Sequence, residues 1–390
     1  MADRQTGPHV GWKKALLYSL LPVTILLAGL ELSARVVEIW IPPWKVDYGW
    51  GFTPDSRLFI PSEGEEGVMV TSPAKEVNFH RQRFAVPKPF GTLRIFMLGG
   101  SSVNYLQGDL EMLAIRLEED LAPEGRLEIL DAGGLSYGSH RLVPIAAEIM
   151  AYEPDLVLVY SGHNEFEEVE QLRLAHLRGV PLQRIVYRSA LCRFVRDRMA
   201  ALQVSALQRR LNRSILSETN PHANLRVAYQ HRYTAGEIGL RMEAFRNNLA
   251  IIMTLCQTNQ VPIVIGTVPS NLMEPSLRSE HIERYKPVWD LFERGAYEQG
   301  MVLGREVLSG LDRCQSSGAE NGIIRSLAKE FEVPLADVEA AIIETEPHHV
   351  PGETLFDDCC HLNEQGRAIL IRTYEPHIRA LLSARSGAKQ

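Results

Sequence analysis

Five short, nearly continuous apolar runs dominate the chain: Leu93–Leu98, Leu127–Leu130, Leu156–Tyr160, Pro262–Val268 and Val333–Asp337. Stretches of helical periodicity separate them. Between 238 and 256, for instance, Ile238, Met242, Phe245, Leu249, Ile252 and Cys256 form one apolar stripe. Runs that are apolar on both faces suit strands covered on both sides, and alternation with helices predicts a parallel sheet with crossover connections. The expectation is an α/β, flavodoxin-like three-layer sandwich around a five-stranded parallel sheet. Helical stretches at about 182–215 and 278–312 belong to no obvious strand–helix unit and read as insertions. Asn363 is placed to cap a last helix ending near Leu382.

In an open parallel sheet, functional groups collect beyond the carboxyl ends of the strands. After the first run come Gly99, Gly100, Ser101 and Ser102. After the second come Asp131 to Ser136, and after the third Gly162, His163, Asn164 and Glu165. Pro269, Ser270 and Asn271 follow the fourth. Past the fifth, just before the last helix, come Asp358, Cys359, Cys360 and His361. The third glycine of a dinucleotide fingerprint does not follow GGSS, and the chain has no G-K-[ST] phosphate loop.

This set of blocks resembles the SGNH/GDSL hydrolase family over about Arg94 to Leu382. LGGSS matches the first block, usually G-D-S; GHNE matches G-x-N-D; Asp358-x-x-His361, followed by Leu-Asn and Gly366, matches D-x-x-H. The resemblance implies a serine esterase with Ser101 as nucleophile; the alternatives are an O-acyltransferase using the same triad, or a catalytically inactive binding or scaffold module on the same fold. A serine in a tight strand-to-helix turn presents its hydroxyl at the sheet edge. His361 would take its proton and return it to the leaving group, with Asp358 holding the ring tautomer. Oxyanion donors would be the Ser101 N–H and the Asn164 amide. A further N–H falls on Ser136 when counted from Asp131 without a gap, or on Gly134 if one is allowed. The block's aspartate is Gly100 here, and GHNE carries glutamate where aspartate is usual.

No metal or cofactor is expected. Asp358, Cys359, Cys360 and His361, with His348–His349, contain ligand types, but adjacent cysteines do not easily share one tetrahedral ion. The five cysteines are too scattered for a disulfide framework. Either Cys314, Cys359 and Cys360 are thiols, or Cys314 pairs with Cys359 or Cys360 in an oxidising compartment.

The N-terminal part carries a different signal. Residues 15–30 are uncharged, slightly short of the ~20 that span a ~30 Å hydrocarbon layer. The helix can continue towards Trp40, because Glu31, Arg35 and Glu38 share a face, and Pro42 and Pro43 stop it. Trp12 and Trp40 lie ~42 Å apart on such a helix, matching the two interfaces of a bilayer. Arg4, Lys13 and Lys14 precede the run. The expected order is therefore a cytoplasmic tip (1–14), a transmembrane signal-anchor helix (15–40), a linker with an N-terminal embellishment (41–90), an exported hydrolase domain (91–383) and a flexible tail (384–390). The partners expected are the membrane and an ester-bearing small molecule, glycan or lipid. With a net charge of −7 and no basic run, nucleic acid is not among them.

Overall fold

The computed structural model describes residues 12–41, 57–76, 78–123, 125–166, 188–195, 198–199, 202 and 233–388. Trp44, Trp50, most of the expected 182–215 insertion and the extreme ends lie outside these residues. The chain divides into two compact units, Met1–Val46 with Arg178–Arg213, and Asp47–Leu177 with Ser214–Gln390.

In the first unit, α1 runs over Trp12–Trp40, and its Tyr18–Trp40 stretch is long and apolar enough to cross a membrane. The large side chains of Leu20, Val23, Leu26 and Leu27 are at least half exposed. Its polar end is engaged within the same unit. Glu31 pairs with Arg35 at 2.8 Å, as the i,i+4 spacing predicts. The same Glu31 carboxylate accepts hydrogen bonds from the Ser189 hydroxyl (2.6 Å) and from the Ala190 and Leu191 N–H groups (3.0 Å each). It thereby caps a helical turn over 190–195. Arg193 forms a bidentate pair with Glu38 at 2.8 and 2.6 Å.

The second unit opens with three short antiparallel strands, β1 (Phe59–Pro61), β2 (Val68–Thr71) and β3 (Arg83–Ala85). Phe59 and Phe84 point into the main body and meet Phe96 and Tyr152 mostly edge-on. The Glu148 carboxylate fixes the entry, accepting from the Leu58 and Phe59 N–H groups at 2.7 and 2.8 Å.

The main sheet is built from β4 (Thr92–Gly99), β5 (Arg126–Gly133), β6 (Leu156–Tyr160), β7 (Ile263–Gly266) and β8 (Leu335–Ala336). They pair in the order β5-β4-β6-β7-β8, all parallel. After β4 come α2 (Ser101–Asn104) and α3 (Gln107–Leu121); α4 (Ser139–Ile149) links β5 to β6, and α5 (Ala235–Thr258) precedes β7. The expected 278–312 insertion is a helical hairpin, α6 (Ile282–Glu293) and α7 (Tyr297–Ser309), closed around Tyr285, Val288, Phe292 and Leu308. Then come α8 (Gly318–Glu330), α9 (Val338–Thr345) and α10 (Glu364–Ala388). Helices α3, α9 and α10 pack on one face, and α4, α5 and α8 on the other, as right-handed crossovers require when strand order reverses beside β4.

Three boundaries differ from expectation. Only Leu335 and Ala336 of the fifth run pair, because Pro334 has no N–H to donate and the Asp337 side chain turns to cap α9. β7 is likewise trimmed to Ile263–Gly266 behind Pro262. Helix α10, with Pro376 inside it, continues past Leu382 to Ala388.

Candidate active site

Registry sets the rim of the sheet. Gly133, Gly99, Tyr160, Gly266 and Ala336 stand side by side across the five strands, and the polar segments begin immediately beyond them. The chain leaves β4 to one side for β5 and leaves the neighbouring β6 to the other for β7, so Ser101 starts α2 at the point where the sheet's order switches.

The other two members of the expected triad arrive on a tight turn. Phe356 and Leu362 bridge in antiparallel fashion, the Asp357 N–H donates to the His361 carbonyl at 2.9 Å, and Asn363 donates back to Leu355 at 3.0 Å. Inside that turn, one Asp358 oxygen accepts the N–H groups of Cys360 (2.8 Å) and His361 (2.7 Å). The other accepts from His361 Nδ1 at 2.6 Å. With the proton on Nδ1, Nε2 is left as an acceptor, and it faces Ser101 Oγ at 2.8 Å. Half-burial would raise the Asp358 carboxyl, but the His361 ring N–H and the two backbone N–H groups outweigh it and hold the group well below its ordinary range. The Tyr105 ring lies against His361 with centroids 4.7 Å apart.

Residues outside the three motif blocks position this turn. Asn271 donates its N–H to the Cys359 carbonyl (3.0 Å) and its amide to the Asp358 carbonyl (3.2 Å). The buried Glu346 carboxylate accepts from Gly352, Thr354 and Leu355 and so shapes the approach to the turn. From α10, the Tyr374 hydroxyl crosses to the Val159 carbonyl at 2.7 Å. The crossing requires Gly266, since a Cβ there would collide with the phenol oxygen.

Asn164 lies beside Gly100, donating its amide to the Tyr137 carbonyl at 3.1 Å. Of the two candidates for a further oxyanion N–H, Gly134 is engaged: it donates to the Gly99 carbonyl at 3.0 Å. The N–H groups of Gly133, Leu135 and Tyr137 are also bonded, to Asp131, Asn78 and Gly134. Ser136, at φ 60°, is the residue of this turn whose N–H enters none of these bonds. The Glu165 that replaces the usual aspartate is buried, accepts from the Ser139 N–H (2.8 Å) and hydroxyl (2.7 Å), and thereby starts α4.

His163, unexplained by sequence, accepts the Ser316 N–H at its Nδ1, 3.1 Å away. Burial, and then the nearby His361, push it down to about 3, so it is neutral at ordinary pH. Among the described residues, its Nε2, Tyr160 Oη and Ser102 Oγ are buried without hydrogen-bond partners. Ser102 and Tyr160, with Tyr105, Leu362, Arg367 and Leu370, line a small pocket against His361. No disulfide joins Cys314 to Cys359 or Cys360; all five cysteines carry thiols.

Element order, rim and turn agree with what the resemblance to SGNH/GDSL hydrolases implies. No protein-family model matches the chain, and neither does any curated protein. Solved structures similar to it include a GDSL-like lipase from Bacteroides thetaiotaomicron, at 10% identity over 75% of this chain and 88% of that one, with a TM-score of 0.35. An acetylxylan esterase from Geobacillus stearothermophilus matches at 12% identity over 72% and 92%, with a TM-score of 0.37. Another acetyl xylan esterase matches at 12% over 73% and 100%, with a TM-score of 0.39. At such values the likeness says nothing of what this chain acts on.

Proposed function

We propose that the chain is a membrane-anchored SGNH/GDSL-type serine esterase that forms an acyl-enzyme on Ser101. The observation that carries this reading is the unbroken relay from Asp358 to His361 Nδ1 (2.6 Å) and from His361 Nε2 to Ser101 Oγ (2.8 Å). His361 draws the proton from Ser101 as its oxygen attacks the ester carbonyl, then delivers it to the departing alcohol. Water, activated the same way, releases the acid. Ser101 N–H, Asn164 Nδ2 and Ser136 N–H stabilise the oxyanion; the Gly134 N–H, already donated to Gly99, takes no part.

The N-terminal helix supports the anchored part of the reading, with its basic residues ahead of the apolar run and its exposed leucines. An anchored, exported domain meets esters in the cell envelope, and an O-acylated glycan or lipid is the substrate class assigned. The test pairs turnover of short p-nitrophenyl esters with fluorophosphonate labelling in the wild type and Ser101→Ala. Labelling that survives in the variant refutes the nucleophile. Acyl transfer to a sugar that outpaces hydrolysis makes the same triad an acyltransferase.

A further inference from the structure

The turn that carries the base also brings together three different metal donors. Asp358 carboxylate, Cys360 Sγ and His361 Nδ1 all lie within 4.8 Å of one another. Cys360 Sγ is 3.6 Å from His361 Nδ1. With Zn–S of about 2.3 Å and Zn–N of about 2.0–2.1 Å, tetrahedral ligands of these two kinds stand about 3.5 Å apart. The thiol and imidazole therefore already have the spacing of two zinc ligands. Asp358 is closer, at 2.6 Å from Nδ1, and must open to about 3.3 Å for oxygen and nitrogen to share the ion. It can, because half of its side chain faces solvent.

We propose that a thiophilic divalent cation, zinc above all, binds Asp358, Cys360 and His361 and reversibly switches off the triad. The objection that adjacent cysteines cannot share one ion does not apply, since Cys360 alone of the pair belongs to the donor set. The ion displaces the proton of Cys360 Sγ, which is released to solvent, while the single ring hydrogen of His361 leaves Nδ1 and is taken up on Nε2; Asp358 binds as a carboxylate. A neutral imidazole bound through Nδ1 carries its one ring hydrogen on Nε2. That atom then donates to Ser101 Oγ instead of accepting from it, and no base remains. Cation binding stands on geometry alone; its inhibitory effect rests on the esterase reading.

The experiment titrates the full chain with Cd²⁺, following the ultraviolet thiolate-to-cadmium band, and with Zn²⁺, following ester turnover. Expected are a saturable band and a loss of turnover of roughly 10²-fold or more, the usual share of a positioned base, reversed by chelator. Cys360→Ser abolishes the band and keeps its turnover in zinc, whereas Cys359→Ser retains both band and inhibition. An undiminished band in Cys360→Ser, or its loss in Cys359→Ser, overturns the site. Should Cys360→Ser fail to fold, zinc protection of Cys360 from iodoacetamide in the wild type decides instead, and unprotected alkylation overturns the proposal. A wild type that binds Cd²⁺ but hydrolyses no ester would sink the esterase reading and leave the metal site standing.

Discussion

A Cβ on residue 100 would collide with the side-chain amide of Asn164. The space beside residue 100 is filled by the Asn164 amide, and the Gly-Gly-Ser turn leaves room for it. Gly100→Ala is expected to push Asn164 aside and lower kcat by ~10²–10³, the usual loss for one oxyanion donor, with KM little changed. Asn164→Ala should lose as much, and the double variant little more, because both changes remove one interaction. Steady-state kinetics on a p-nitrophenyl ester check this. Independent, additive losses would break the link between the two residues.

In the proposed triad Asp358 orients the base, and the hydrogen bonds it accepts favour its charged form. Asp358→Asn should reduce kcat by roughly 10³–10⁴, as amides in place of a triad acid do by stabilising the wrong tautomer. The sign of its pH effect follows from its depressed pKa. The ionised group contributes stability above pH 3.8, and that contribution is lost as the pH falls through the lower folded value. The stability gap between wild type and Asp358→Asn should accordingly be widest near neutrality and close in strong acid. Thermal melts across pH measure it, and a gap that grows with acid contradicts the relay.

Asp131 behaves in the opposite sense. Burial raises its carboxyl to about 7, against the one N–H donated by Gly133 at 2.7 Å. The unfolded chain releases this proton from pH 3.8 upward while the folded chain retains it to about 7, so stability declines over that window and then levels. Asp131→Asn can still accept the Gly133 N–H and never ionises. We expect it to raise Tm at pH 8 and to match the wild type at pH 4. An equal difference at both values would disprove the assignment.

The apolar helix makes a prediction about fractionation. The full chain should sediment with membranes and resist carbonate extraction, whereas a chain shortened to begin at Lys45 should be soluble. A mature N-terminus near Ala34 would mean that the helix is removed rather than retained.

The sheet was legible because its strands are buried on both faces, and apolar runs announce that directly. Arg94 shows the limit of such reading. It interrupts the first run, yet it is fully buried, bonded to Glu128 and to the Tyr152 and Ala85 carbonyls, and stacked over Phe84. Ser101, Asp358 and His361 were singled out by their motif blocks and by position at strand ends, and the structure brings them together. The partners of Asn271, the place of Glu346 and the acceptor role of His163 were not legible, because a polar side chain's partner is chosen by the fold and leaves no periodicity in the chain. The choice between Gly134 and Ser136 needed the hydrogen bond from Gly134 to Gly99, which a count along the sequence does not contain.

The two atoms that would share the catalytic proton belong to residues 260 positions apart. During synthesis the serine emerges early, in a nearly complete first strand and helix, while its base waits for the last stretch of the chain. On the proposed reading, a nascent or truncated polypeptide has a serine without a base. The two meet only when the closing helix docks and Tyr374 reaches the central strand, so on that reading the finished fold serves as its own licence to react.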